Sequence, residues 1–202
     1  MTEAQLLLFE ECDLLDVGGP YEVLLTANRM TEAAGGAAPF SVRTVTADGQ
    51  QVRAFGGLTL GPHEAARPRP GLFLVPGAID LAPALDDPQV MDTIRRCGEA
   101  ADLLVSVCTG SLLLAAAGLL EGVPATTHHE DVGLLAERIG EDRVFTDVRW
   151  VDAGRVVTSA GLSSGIAMAL HLVAWEISAG FAADVAARLD HDWRPDGGTV
   201  VP

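Results

Sequence analysis

Cys108, in the run SVCTGS at residues 106–111, is the first residue whose type and surroundings suggest chemistry. The apolar LLVSV before it reads as a strand and the apolar LLLAAAGLL after it as a helix, so the cysteine sits where the chain must reverse within one or two residues. Such a turn projects its central side chain and aims backbone N–H groups at the same space, the logic of a nucleophile elbow. A helix N-terminus also favours thiolate over thiol, which predicts a Cys108 pKa lowered from about 8.5 toward neutrality. Free cysteines are commonly inert packing residues. The small Thr109, Gly110 and Ser111 let a ligand approach the backbone and favour the chemical reading.

Four other segments supply groups that could work with a thiol. LLDVGGP at residues 14–20 follows the first apolar strand and reads as a loop entering a helix with Pro20 near its first turn. Asp16 in that loop either reaches Cys108 or caps the helix; Asp13 reads as a solvated turn residue, and Gly19 as a substrate contact. VPGA at residues 75–78 ends another strand, and Gly77 there could present its N–H to developing negative charge, with Ala78 beside it. ATTHH at residues 125–129 ends in paired histidines with no spaced third ligand, so no metal is expected; His128 is assigned to the pocket wall and His129 to solvent. Gly161 and Leu162, in GLSSG, form another pocket edge or simply precede a Ser-capped helix.

The elements that must position these groups follow from the apolar runs. Residues 5–9, 72–75, 103–107 and 156–159 read as strands buried on both faces, alternating with helical spacing over 21–30, 90–100, 111–120, 131–139 and 164–177. That alternation predicts an α/β fold: a flavodoxin-like three-layer sandwich with a mostly parallel sheet and helices on both faces. Residues 40–60 and 145–159 depart from the rhythm and read as small antiparallel additions at the rim, the second around the hairpin signal Asp152-Ala153-Gly154. Residues 1–202 are read as a single domain, with a loosely ordered tail over about 194–202.

Composition narrows the function. At 202 residues and 49% hydrophobic composition the chain can bury a full core. A net charge of -15 and a pI of about 4.5 repel phosphate backbones and anionic membranes, so neither nucleic acid nor membrane is an expected partner. Cys12, Cys97 and Cys108 are odd in number and widely spaced, which reads as free thiols. With no leader or membrane-length apolar stretch, the expected location is the cytoplasm.

Taken together, the DxxGP loop, PG after a central strand, SVCTGSLLLAAAGLLEG, ATTHH and VVTSAGLSSGIAMALHLVAW resemble the ThiJ/PfpI group of the class I glutamine-amidotransferase-like superfamily. Within it they look most like the isocyanide hydratases, and also like the ligand-binding half of AraC-type regulators. The resemblance implies Cys108 as nucleophile, Asp16 as essential acid, Thr109 as its assistant, Gly77 at an anion-binding N–H, no cofactor, and a homodimer. Two positions depart from the pattern: Ala78 stands where a second glycine is usual, and Ala167 where the hydratases carry an Asp. The implied reaction adds water to a small neutral isocyanide through a cysteine thioimidate. The alternatives are another small electrophile, such as a dicarbonyl, a redox sensor, or a binding domain; a DNA-reading regulator would need a further basic segment beyond residue 202.

Overall fold

The computed structural model of the chain describes residues 1–201. The chain begins with β1 (Thr2–Leu7), α1 (Leu14–Ala33) and β2 (Phe40–Thr46), followed by the short strands β3 (Val52–Arg53), β4 (Thr59–Leu60) and β5 (Glu64–Ala65). It continues through β6 (Leu72–Val75), α2 (Ala82–Leu85), α3 (Pro88–Ala100), β7 (Leu103–Val107), α4 (Gly110–Ala116) and α5 (Val132–Ile139). The last third holds β8 (Trp150–Asp152), β9 (Val156–Ser159), α6 (Ser164–Glu176), α7 (Ala179–Arg188) and β10 (Thr199–Val200).

Eight of these strands form one sheet in the order β10-β8-β9-β7-β6-β1-β2-β5. All neighbours run parallel except β8 against β9, and β3 and β4 pair antiparallel outside the sheet. The central order β2-β1-β6-β7-β9 is the flavodoxin-like winding, in which the chain crosses from one side of β1 to the other and leaves a crevice at the strands' C-terminal ends. Helices α1, α6 and α7 pack together on one face, and α2, α3, α4 and α5 on the other. No helix among the described residues is long and apolar enough to cross a membrane.

The sequence dictates these layers through burial on both sheet faces. Every residue of β6 is buried, as are Leu104, Val105 and Val107 of β7, which is why these strands are continuous apolar runs. Helix α3 instead buries one stripe, Val90, Thr93, Ile94 and Cys97, at helical spacing; Asp87 caps it by accepting the N–H groups of Gln89 and Val90. Helix α4 is buried from Gly110 through Leu114, as its uniformly apolar sequence requires.

Three expectations need correction. Residues 40–46 are not a rim addition but β2, a full parallel partner of β1, because their register sets Phe40 and Val45 into the core. Only β3 and β4 make the antiparallel addition in that region. The segment 14–20 is not a loop: α1 starts at Leu14 with Asp13 as its cap, and Pro20 lies inside the helix. The tail is also more ordered than its composition suggests, since Thr199 and Val200 extend the sheet beside β8 and Gly198 lies tightly on the Trp150 indole. Pro202, the last residue of that predicted tail, lies outside the described residues.

The elbow helix is pressed against the loop after β6, and Gly110 is the contact. A β-carbon there would collide with the Val75 carbonyl oxygen and the Pro76 backbone, neither of which can swing away. Gly110→Ala should therefore cost about 1–3 kcal/mol through overpacking. Urea unfolding checks this: a lower midpoint at unchanged slope is expected, and an unchanged midpoint would mean that the loop yields freely.

Candidate active site

Four strand ends meet at the crevice. Asp16 arrives in the first turn of α1 after β1, Gly77 and Ala78 follow β6, Cys108 follows β7, and Leu162 follows β9. The first two segments are tied directly, by the Asp13 N–H donating to the Gly77 carbonyl at 2.9 Å and by a bridge between Cys12 and Ala78.

Cys108 adopts φ of 57°, a left-handed backbone that a residue with a side chain takes only when its surroundings impose it. The imposition is visible as hydrogen bonds. Its N–H donates to the carbonyls of Ser159 and Ala160 at 3.1 and 3.2 Å, and its own carbonyl accepts the hydroxyls of Thr127 and Ser111 at 3.1 and 3.3 Å. Thr127, from the ATTHH segment, thus braces the elbow. Sequence reasoning quoted that segment for its histidines and missed its hydroxyl.

Asp16 is wholly buried and faces this elbow. Its Oδ2 accepts the Gly77 N–H at 2.9 Å, while Oδ1 is buried without a hydrogen-bond partner. Burial pushes the carboxyl up from its ordinary 3.8 to about 7; the Gly77 N–H opposes the rise, the Asp13 charge adds to it, and the Cys108 thiol opposes it slightly. A β-carbon at Gly77 would collide with the Thr109 hydroxyl, so only glycine lets the loop come this close.

The thiol itself departs from expectation. Instead of being lowered by the helix terminus, the Cys108 pKa is pushed up to about 12, first by burial and then by the charge of Asp16; the N–H groups of Leu162 and Thr109 oppose the rise. Desolvation beside a carboxylate outweighs the partial charge of a helix only seven residues long. At neutral pH the pair therefore holds the thiol proton, and a carboxyl balanced between its two forms lies next to it.

The remaining predicted residues are placed as follows. Gly77 does not offer a free N–H to substrate, because Asp16 takes it. The Thr109 hydroxyl is also committed, donating to the Ala78 carbonyl at 2.8 Å and accepting the Ala78 N–H at 3.0 Å. The backbone N–H groups that lower the cost of a thiolate are instead those of Leu162 and Thr109. Ala78, Thr109, His128 and Leu162 line a cavity of about 180 Å³ with Cys108. Gly161 abuts the His128 ring from outside that lining. Gly19 is a correction: it packs against Ile166 of α6 and borders a separate groove, because its helix turns it away from the elbow.

Asp13, Ile79, Glu130 and Asp131 complete the cavity and were not foreseen as lining. For Asp13 the available signal was its place immediately before the apolar start of α1, the position of an N-cap. His128, His129 and Glu130 bring one ligand atom each within 4.8 Å of one another, but all three come from one short turn and two are exposed. A larger hollow of about 340 Å³ lies around Met1, Gly71 and Trp175, at the opposite end of the strands, and has no nucleophile in its walls.

The elevated carboxyl has a thermodynamic consequence. The folded protein holds the Asp16 proton more tightly than the unfolded chain, so this contribution is complete below pH about 4 and is lost as pH rises through about 7. Asp16→Asn, which keeps the acceptor for Gly77 and removes the charge, should be more stable than the parent by about 2–4 kcal/mol at pH 8 and nearly equal to it at pH 3.5. Urea unfolding at the two pH values decides this, and equal differences at both would refute a buried ionisation.

Residues 2–175 match the profile of the DJ-1/PfpI family. The chain is 36% identical to an isonitrile hydratase from Pseudomonas putida over 171 residues, 82% of this chain and 68% of that protein. It is 29% identical to the HTH-type transcriptional regulator GbdR of Pseudomonas aeruginosa over 84% of this chain but 45% of the regulator. A ThiJ/PfpI family protein from Pseudomonas syringae superposes with a TM-score of 0.81 at 24% identity, covering 96% of this chain and 77% of that one, a likeness of fold. With the profile spanning all the strand ends that build the crevice, the chain belongs to the DJ-1/PfpI family.

Proposed function

We propose that the chain is an isocyanide hydratase-like lyase, in which Cys108 is the nucleophile and Asp16 its proton carrier. The observation that carries the reading is the pairing of a buried thiol with a carboxyl pushed up to about 7, in a small cavity of a chain 36% identical to an isonitrile hydratase. A proton carrier works best when its pKa lies near the working pH.

The steps balance without a cofactor. Asp16 takes the thiol proton as sulfur attacks the terminal carbon of R–N≡C, and returns that proton to the same carbon, giving the thioimidate R–N=CH–S–Cys108. Water then adds across the C=N bond, hydroxyl to carbon and proton to nitrogen. The C–S bond breaks as the hydroxyl proton passes back toward sulfur through Asp16, leaving R–NH–CHO and the thiol. The N–H groups of Leu162 and Thr109 stabilise the charge on sulfur while it forms and leaves. Thr109 and Ala78, locked through the hydroxyl, hold the elbow against the β6 loop.

A cavity of about 180 Å³ is below the usual range for drug-sized ligands and admits only a compact substrate. The homodimer implied by the resemblance belongs to the same proposal and is checked by sedimentation. The likeness to GbdR supports a second reading, a domain that binds a small ligand without turning it over. A redox sensor fits less well, since a thiol held protonated and 8% exposed is a slow target for peroxide.

Conversion of a small isocyanide to its formamide should be abolished by Cys108→Ala and reduced about 10²–10⁴-fold by Asp16→Asn. In the intact protein kcat/KM should rise with pH up to about 7 and then level, because the ionised carboxylate accepts the thiol proton. Absence of turnover with saturable binding of the same isocyanide would favour the binding domain.

A further inference from the structure

The walls of the Cys108 cavity carry acidic side chains. Three carboxylates, Asp13, Glu130 and Asp131, line it together with the nucleophile, and neither lysine nor arginine is among the lining residues. Ala78, Ile79 and Leu162 are the apolar side chains of the same lining. Carboxylates gathered on a surface do not define a site by themselves. Here the site is already defined by Cys108, whose thiol is in the same walls at 8% residue exposure, with the wholly buried and unpartnered Oδ1 of Asp16 behind it.

Among the described residues neither lysine nor arginine pairs with these carboxylates. Asp13 spends one oxygen on the Leu15 N–H as helix cap and has no cationic partner among the described residues. Asp131 and Glu130 have only His128, whose Nδ1 lies 3.5 and 3.8 Å from their oxygens. The same nitrogen accepts the Glu130 N–H at 3.4 Å, so one imidazole is shared among these groups. The negative field reaches the reacting atoms, since Asp13 contributes to the upward push on both Asp16 and Cys108.

We infer that the substrate of this site is a compact electrophile whose non-reacting end is an organic cation. This rests on the reading of Cys108 as a nucleophile and revises the neutral substrate that the sequence suggests. The cation sits among Asp13, Glu130 and Asp131 while the neutral reactive group meets sulfur. Its charge offsets the field that holds the thiol proton, so binding itself eases thiolate formation. An anionic substrate is excluded by the same walls.

The test compares two isosteres, 2-(trimethylammonio)ethyl isocyanide and 3,3-dimethylbutyl isocyanide, which differ in charge and hardly in shape. At low ionic strength the cationic one should have kcat/KM about 3–30-fold higher, a ratio that falls toward one in 0.5 M salt and in Asp13→Asn/Asp131→Asn, where Asn at position 13 keeps the cap. A readout independent of turnover is alkylation of Cys108 by the iodoacetamides bearing the same two tails, each rate divided by that with free 2-mercaptoethanol. A normalised preference for the cationic reagent, lost in the double variant, is expected. Turnover of both isocyanides with a ratio at or below one, or alkylation without cationic preference, overturns the inference and leaves the hydratase reading intact. Cationic preference in alkylation with no turnover of either isocyanide upholds the inference and removes the hydratase reading.

Discussion

The site depends on a buried carboxyl held by one backbone N–H. Asp16 has no exposed surface, and its only regular hydrogen bond is from Gly77, at 2.9 Å. A carboxylate placed so would ordinarily be unaffordable within a hydrophobic core, and proteins relieve such a site by letting the group keep its proton. The consequence runs outward. The Gly77 loop must come close enough to donate, so position 77 cannot carry a β-carbon. The Thr109 hydroxyl must then clasp Ala78, and Gly110 must let the elbow helix approach Pro76. Asp16 thus joins a set of ties, with the Asp13 N–H to Gly77 and the Thr109 hydroxyl to Ala78, that fix one helix start, one loop and one elbow relative to each other.

The same arrangement explains why Cys108 is not a spontaneously ionised thiol. Burial and the neighbouring carboxylate both raise the cost of the thiolate, against two backbone N–H groups that reduce it. In the proposed reaction sulfur becomes nucleophilic only when Asp16 accepts its proton, so reactivity is conditional on a bound electrophile that consumes the charge as it forms. A cysteine regulated in this way is protected from indiscriminate alkylation and oxidation. The strained backbone at position 108, secured by Thr127, Ser111, Ser159 and Ala160, keeps the sulfur where that exchange can occur.

Much of this was legible in the residues. Apolar runs buried on both faces announced the parallel sheet, and strand-to-helix turns with small residues announced where chemistry would gather. Cys108, Asp16, Ala78, Thr109, His128 and Leu162 do converge there. What could not be read is what depends on distance. Residues 14–20 read as a loop because Gly-Gly-Pro discourages a helix, yet Asp13 caps α1 and sets Asp16 in its first turn. Residues 40–46 alternate as a rim strand would, and only their register with β1 shows them to be internal. The sign of the Cys108 shift required knowing that desolvation outweighs a short helix. The charged wall required knowing that Asp13 and Glu130-Asp131, more than a hundred positions apart in sequence, face one cavity.

The most direct measurement of the central claim is the ionisation of Asp16 itself. Infrared difference spectra of the intact protein against Asp16→Asn, taken from pH 4 to pH 9, isolate the Asp16 carboxyl. The account predicts a protonated carboxylic acid band that titrates away with a midpoint near 7. A carboxylate ionised throughout that range would contradict it, since the thiol would then have no neighbour poised to exchange its proton.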